Sequence, residues 1–441
     1  MNKTWKKLLS LALMLCMLLS AVSALAGEEP VTLTFVCAYA PNYGMQDLID
    51  DFEAQHPNIK IDLQVYNNST DGNQAVDNML MNGGLIDLQL AYGLDKTDAR
   101  ASSDFYTNLD EYVADWGINV QDTFGVDIKF RNSEGEQHYY GIPVDALQWY
   151  IAINMDEWKA AGYTDLPTAW TWDEYIEACR KMTHDGLIGG ADVLDGGYNW
   201  VNHVRQVYGP DVWYNEEGYS AILSNPLFKE SLQMKLDCES EGIWFSYPDS
   251  RQTGNTGVLP FMEHRVNSYV TCNIWRFIAD TANYPIDFQV GFAPYPTREA
   301  GQTNYCDGPT VYGFMTITET CQHKDEAWEF VKYFATEGNY HILKAGHMGM
   351  YAEADRDQVV EYVFGSLEDA AKLIDVESFE RVVLNFGGLT YVDTIIGMGG
   401  STKVSTYEQE ILAGNIGIDE GMAELEQVIN QAIQEKMDEL E

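Results

Sequence analysis

Tyr39, Asn42 and Tyr43 follow directly on an apolar run, and Asp145 and Trp149 set a carboxylate and an indole within one short stretch. Tyr92 with Asp95, and Trp275 with Arg276, again place a ring beside a charged group. Groups of these types can hold a polar molecule. Aromatic faces stack on the apolar CH surface of a pyranose, while carboxylates and amides fix its hydroxyls by hydrogen bonds. The patterns of covalent and metal chemistry are missing: there is no G-x-S-x-G, H-E-x-x-H, Walker A or G-x-G-x-x-G. The eight histidines are scattered singly, and no C-x-x-C or zinc spacing occurs, so no cofactor or metal is expected. A carboxylate pair spaced as in a glycoside hydrolase stays open, because 68 acidic residues offer many such pairs by chance. Trp170 and Trp172 fit packing and capping better than binding, and Gly196-Gly197-Tyr198-Asn199-Trp200 suits a cleft loop or a simple turn equally.

These groups need a scaffold, and the apolar periodicity supplies one. Val31 to Ala40 has the pattern of a buried strand, Met45 to Ala54 carries Leu48, Ile49 and Phe52 at helical spacing, and Ile59 to Val65 alternates cleanly. A helix over 73–81 leads through Gly83-Gly84 to a strand from Ile86 to Ala91. Strand, helix, strand, helix, strand with short connections predicts an α/β fold with a parallel sheet, whose strand C-termini line any crevice. Thr171 with Glu174 three residues on is a capping box, which starts a helix at Trp172. Phe288 to Phe292 returns to strand, Asp325 to Thr336 is an amphipathic helix, and the chain from Ser366 onward is mostly helical, ending in Asp419 to Leu440. No internal repeat or low-complexity linker interrupts it.

The first residues carry an address. Lys3, Lys6 and Lys7 precede an apolar run from Leu8 to Leu19 and a small-residue stretch with Ala24-x-Ala26, which predicts an export signal over 1–26. The apolar run is shorter than the roughly 20 residues that a spanning helix needs. Cys16 follows Leu15, where a lipoprotein cleavage site requires a small residue, so a lipid anchor there is poorly supported. The balance of 26 Lys and Arg against 68 Asp and Glu gives a net charge of −42, which repels nucleic acid and anionic lipid and favours a soluble monomer. Cys37 and Cys179 sit in apolar periodic segments as buried thiols, and the pairing of Cys238, Cys272, Cys306 and Cys321 stays open.

Six stretches, in order from Leu33 to Gln434, resemble the landmarks of the family 1 extracellular solute-binding proteins, the group that includes the maltodextrin binders. Phe52 to Ile61 is similar to F-x-x-x-x-P-x-I-x-V, with Pro57 and Ile59 in place. Gly84-Leu85-Ile86-Asp87 is similar to G-x-P-D with Ile86 replacing the proline. Tyr140-Gly141-Ile142-Pro143 running into Tyr150 to Asp156 resembles Y-G-I-P followed by Y-Y-N-K-D, and Pro167 to Glu174 resembles P-x-T-W-D-E. Phe261 to Trp275 resembles F-x-x-G-K-A-A-M…W with His264 at the glycine position, and Lys324 to Val331 resembles K-x-x-A-W-E-F-V-K.

The resemblance implies a two-lobe clamshell of the type II periplasmic-binding-protein kind, each lobe a mainly parallel sheet flanked by helices. The N-terminal lobe would comprise 27–145 with 295–345, and the C-terminal lobe 146–294 with 346–441. Crossings are expected at Pro143 to Gln148, near Pro294 to Pro296 and near Gly346. A small ligand, a sugar or oligosaccharide above a peptide or polyamine, would close the lobes and be presented to the membrane subunits of an ABC importer, in the periplasm or on the outer face of the cytoplasmic membrane. A secreted carbohydrate-active enzyme and a chemosensory receptor are the alternatives. Family position together with local chemistry gives the ligand set: Tyr39, Asn42, Tyr43, Tyr92, Asp95, Asp145, Trp149, Trp275 and Arg276, with Tyr391 after Gly387-Gly388-Leu389-Thr390.

Overall fold

In the computed structural model, residues 30–192, 225–254, 257–304, 310–385 and 400–440 are described. Apolar runs bounded by turn formers become buried strands. The first three are β1 (Val31–Cys37), β2 (Ile59–Val65) and β3 (Leu88–Tyr92), and β1 pairs in parallel with both of the others. The helices Met45–Gln55 and Thr70–Asn82 make the crossovers, as the spacing predicts. A two-residue hairpin, β4 (Phe130–Arg131) with β5 (Gln137–His138), precedes β6 (Ile142–Leu147), β7 (Tyr150–Asn154) and β8 (Ser268–Thr271). Then come β9 (Val290–Pro294), β10 (Thr310–Ile317) and β11 (Met348–Gly349).

Two main sheets result, one ordered β11-β6-β10-β3-β1-β2 and the other β8-β7-β9. The first is mixed and the second antiparallel, which corrects the expectation of mainly parallel sheets. β10 runs antiparallel to β3 and β6, β11 runs antiparallel to β6, and β7 is antiparallel to both β8 and β9. The reason is the path between lobes. A parallel pair needs a crossover made within one lobe, but this chain leaves the first sheet after β6 and comes back for β10 and β11 from the opposite end.

The alternation along β7 sets the layering. Tyr150 and Ala152 face the core shared with the first sheet, whereas Ile151 and Ile153 face a second core with Trp158, Trp170 and Trp172. That second core is closed by the helix Trp172–Met182, whose N-terminus carries the reciprocal Thr171–Glu174 capping box. Pro294 ends β9 and Tyr295 packs edge-on against Trp172, while Thr297 bridges to Thr171. Tyr295 and Thr297, at the start of the segment that the resemblance placed in the first lobe, thus touch residues of the second core.

The helix Pro226–Glu241 packs on the C-terminal helices Gly400–Leu412 and Ile418–Leu440 through a buried cation. Lys235 is 2% exposed, with Nζ 3.5 Å from Asp192 and 3.8 Å from Glu408. Cys37, Cys179, Cys238, Cys272 and Cys321 are free thiols, and Cys306 lies outside the described residues.

Candidate ligand-binding site

The carboxyl ends of β1 and β3 converge with the crossing strand β6, which is where open α/β sheets place their ligands. Tyr39, two residues past β1, reaches over to Asp145 in β6 and donates its hydroxyl proton to Oδ2 at 2.7 Å. His347, just before β11, brings Nδ1 to 2.8 Å from Oδ1 of the same carboxylate and to 2.9 Å from the Tyr39 hydroxyl. Asp145 is fully buried, and Tyr39 and His347 are each 7% exposed. Burial, reinforced by the neighbouring carboxylate, drives the Tyr39 phenol well above its ordinary pKa, so Tyr39 stays a proton donor at any physiological pH.

An aromatic wall surrounds this knot. Tyr92 meets Tyr39 edge-on at 5.3 Å, Tyr312 of β10 lies 5.5 Å from Tyr92 and 5.4 Å from the His347 ring, and Tyr66 stands 6.5 Å from Tyr92. Tyr312 and Tyr66 are its half-buried members, and the Tyr312 hydroxyl accepts from the Asn68 amide at 3.2 Å. The close approach of β10 to β6 requires glycine at 313, because a Cβ there would lie 2.9 Å from the Asp145 Cβ. His347, Tyr312 and Asn68 escaped the sequence reading. No local pattern marks them; only strand pairing brings the returning segments 310–317 and 346–349 beside β3 and β6.

The other expected residues divide. Tyr43, at the end of the single turn Pro41–Tyr43, faces the Arg276 guanidinium at 5.4 Å, a cation–π contact from one lobe to the other. Arg276 also donates to the Ala345 carbonyl at 3.2 Å. Trp275 is wholly buried: its indole N–H donates to the Leu343 carbonyl at 2.8 Å, and Phe379 and Tyr150 close round it at 6.0 and 6.1 Å. It stands in the seam between lobes, out of contact with solvent. Asn42 is exposed, Asp95 is half-buried in the first turn of the helix Leu94–Ala101, and Trp149 is half-buried against the second core. Trp170 donates to the Pro294 carbonyl at 2.7 Å inside that core. Tyr391 and the stretch 196–200 lie outside the described residues.

The crossing at Gly346 is tight. Its φ of +82° falls in the left-handed region, and a Cβ would meet Asn273 at 2.9 Å, so a larger residue there would push the lobes apart. Away from this site, a groove of about 560 Å³ runs along the second lobe between Ile176, Arg180, Met234 and Cys238. Among the described residues no group of three or more His, Cys, Asp or Glu is placed to hold a metal ion, and no helix is long and apolar enough to cross a membrane.

Residues 40–340 match the family described as bacterial extracellular solute-binding protein. The chain belongs to that family. Membership makes it a binding protein by lineage and places it outside the cytoplasm. The solute-binding fold is shared with an ABC substrate-binding protein from Listeria monocytogenes in complex with cycloalternan, at 16% identity and TM-score 0.70, covering 92% of this chain and 99% of that one. The sugar-binding protein MalE from Xanthomonas citri is similar at 16% identity and TM-score 0.66, covering 92% and 98%. A solute-binding protein from Agrobacterium vitis with bound D-mannitol gives 17% identity and TM-score 0.66 over the same shares. No curated protein matches the solute-binding chain by sequence.

Proposed function

We propose that this solute-binding protein captures a sugar or oligosaccharide between its lobes and delivers it to the membrane subunits of an ABC importer, without chemistry on the ligand. One observation carries the reading: a half-buried tyrosine face, Tyr312, sits at the carboxyl ends of the strands beside the buried polar knot of Tyr39, Asp145 and His347. A pyranose presents the matching surfaces, an apolar CH face for the ring and hydroxyls for the polar atoms. The sugars bound by structural relatives of the same fold agree with that chemistry. Tyr43 and Arg276 meet from opposite lobes, so closure over the ligand is read here as the signal passed to the permease. The segment 1–26 serves as the export signal, and the mature chain works as a monomer on the outer side of the membrane.

The test is calorimetric titration of the purified protein with maltotriose, mannobiose and D-mannitol, together with polyamines and short peptides. Saturable binding of a sugar with the sugar recovered unchanged supports the proposal. Turnover to a smaller product overturns it in favour of an enzyme, and binding confined to the polyamines or peptides overturns the ligand class.

A further inference from the structure

The carboxylate that the sequence points to as a ligand contact is not free to make one. Asp145 is fully buried and both oxygens are engaged, Oδ2 by the Tyr39 hydroxyl and Oδ1 by His347 Nδ1. Its geometry fixes the imidazole instead. An ionised carboxylate only accepts, so Nδ1 at 2.8 Å carries a hydrogen; in that tautomer of the neutral imidazole the lone pair is on Nε2. The hydrogen bonds of His347 to described residues are both made by Nδ1, which leaves Nε2 without one, and the residue is 7% exposed. The ring plane is held between Tyr39 at 5.0 Å and Tyr312 at 5.4 Å, and of these two Tyr312 is the ring that the site leaves half open.

We propose that His347, oriented by Asp145, is the polar contact the site offers, its Nε2 accepting a hydrogen bond from a ligand hydroxyl while the sugar ring lies against Tyr312. Asp145 is a positioning residue that acts through the imidazole, as an outer-shell carboxylate sets the tautomer of a metal-bound histidine. The proposal rests on the sugar reading above for the identity of the ligand, but the tautomer it requires does not.

Two measurements decide it. Long-range proton–nitrogen correlation on the ligand-free protein labelled with nitrogen-15 should show His347 protonated at Nδ1 and bare at Nε2; Asp145→Asn should shift the ring towards the Nε2–H form. Titration with the sugar that binds tightest should then show about a tenfold loss of affinity for His347→Phe, and a similar loss for Asp145→Asn. In the His347→Phe background, Asp145→Asn should cost nothing further, because both act through one atom. His347→Gln, whose amide oxygen falls near the Nε2 position, should recover part of the loss, and thermal unfolding of each variant checks that it is folded. A native ring protonated at Nε2, additive losses from the two substitutions, or full affinity in His347→Phe each overturn the proposal. If no sugar binds the unaltered protein, the sugar reading falls, and the tautomer then decides the His347 arrangement alone: Nδ1–H supports it and Nε2–H ends it.

Discussion

Trp275 offers the sharpest contrast between what its residue type suggests and what its surroundings allow. An indole at that landmark invites a stacking role, yet the ring is fully buried and spends its N–H on Leu343 across the seam between lobes. Trp275→Phe keeps an aromatic ring but deletes the pyrrole edge and the donor. The lost hydrogen bond, which leaves the Leu343 carbonyl with the Gly346 N–H at 2.9 Å, costs about 1 kcal/mol. The void left by the smaller ring, walled by Phe379 and Tyr150, adds about 1–2 kcal/mol, giving roughly 2–3 kcal/mol in all. With an unfolding entropy near 2 cal/mol/K per residue over roughly 400 residues, that is a fall of about 3 °C in Tm. Scanning calorimetry and sugar titration on one preparation separate strut from ligand contact. The strut role predicts the Tm drop with affinity held within about threefold. An unchanged Tm with a tenfold or greater loss of affinity would put the indole on the ligand and refute this reasoning.

Tyr312→Ala removes the half-open ring beside His347, and titration should show sugar affinity falling about 10- to 100-fold; binding within twofold of the parent removes Tyr312 from the site. Lys235→Met strips the buried cation from Asp192 and Glu408 and should cost about 3–5 kcal/mol in chemical denaturation, since two carboxylates are left in a low-dielectric interior; a loss below 1 kcal/mol contradicts this. Burial, only partly offset by Lys235, pushes the Glu239 carboxyl up from 4.5 to about 7, so the stability this group contributes is full below 4.5 and is lost as pH rises through 7. Glu239→Gln does not ionise, so relative to the parent it should gain roughly 2–3 kcal/mol between pH 5 and pH 8.5; a relative gain on acidification instead would reverse the sign of the argument.

The elements set by local pattern came out of the sequence almost to the residue. The helix expected from Met45 to Ala54 spans Met45–Gln55, the alternating run Ile59 to Val65 is β2 with the same bounds, and the capping box starts its helix at Trp172. Each rests on contacts within one turn or one pleat, where side-chain spacing is the whole cause. Strand direction was not legible, because it depends on which segment arrives beside which. β10 lies between β3 and β6 although more than 160 residues separate it in sequence from its nearer partner, and no periodicity encodes that return.

The site was half legible for the same reason. Tyr39 and Tyr92 stand at the ends of strands that the pattern locates, Asp145 lies in the crossing that the resemblance implied, and the three do converge. Their partners come from far along the chain: His347 lies 308 residues from Tyr39 and 202 from Asp145, and Tyr312 lies 244 from Asn68. A lone histidine before a glycine-rich crossing carries no mark of its own. What gives it one is the fixed geometry around it: a carboxylate 2.8 Å from Nδ1, a glycine at 313 that lets β10 close on Asp145, and a left-handed glycine at 346 that turns the chain into the site. If that geometry is the cause, substituting the glycines should disable the histidine without touching it. Gly313→Ala, whose new methyl would press on the Asp145 Cβ at 2.9 Å, should lower sugar affinity about as much as Asp145→Asn does, and the two changes should not add. Titration of Gly313→Ala with unaltered affinity would detach the carboxylate from binding altogether.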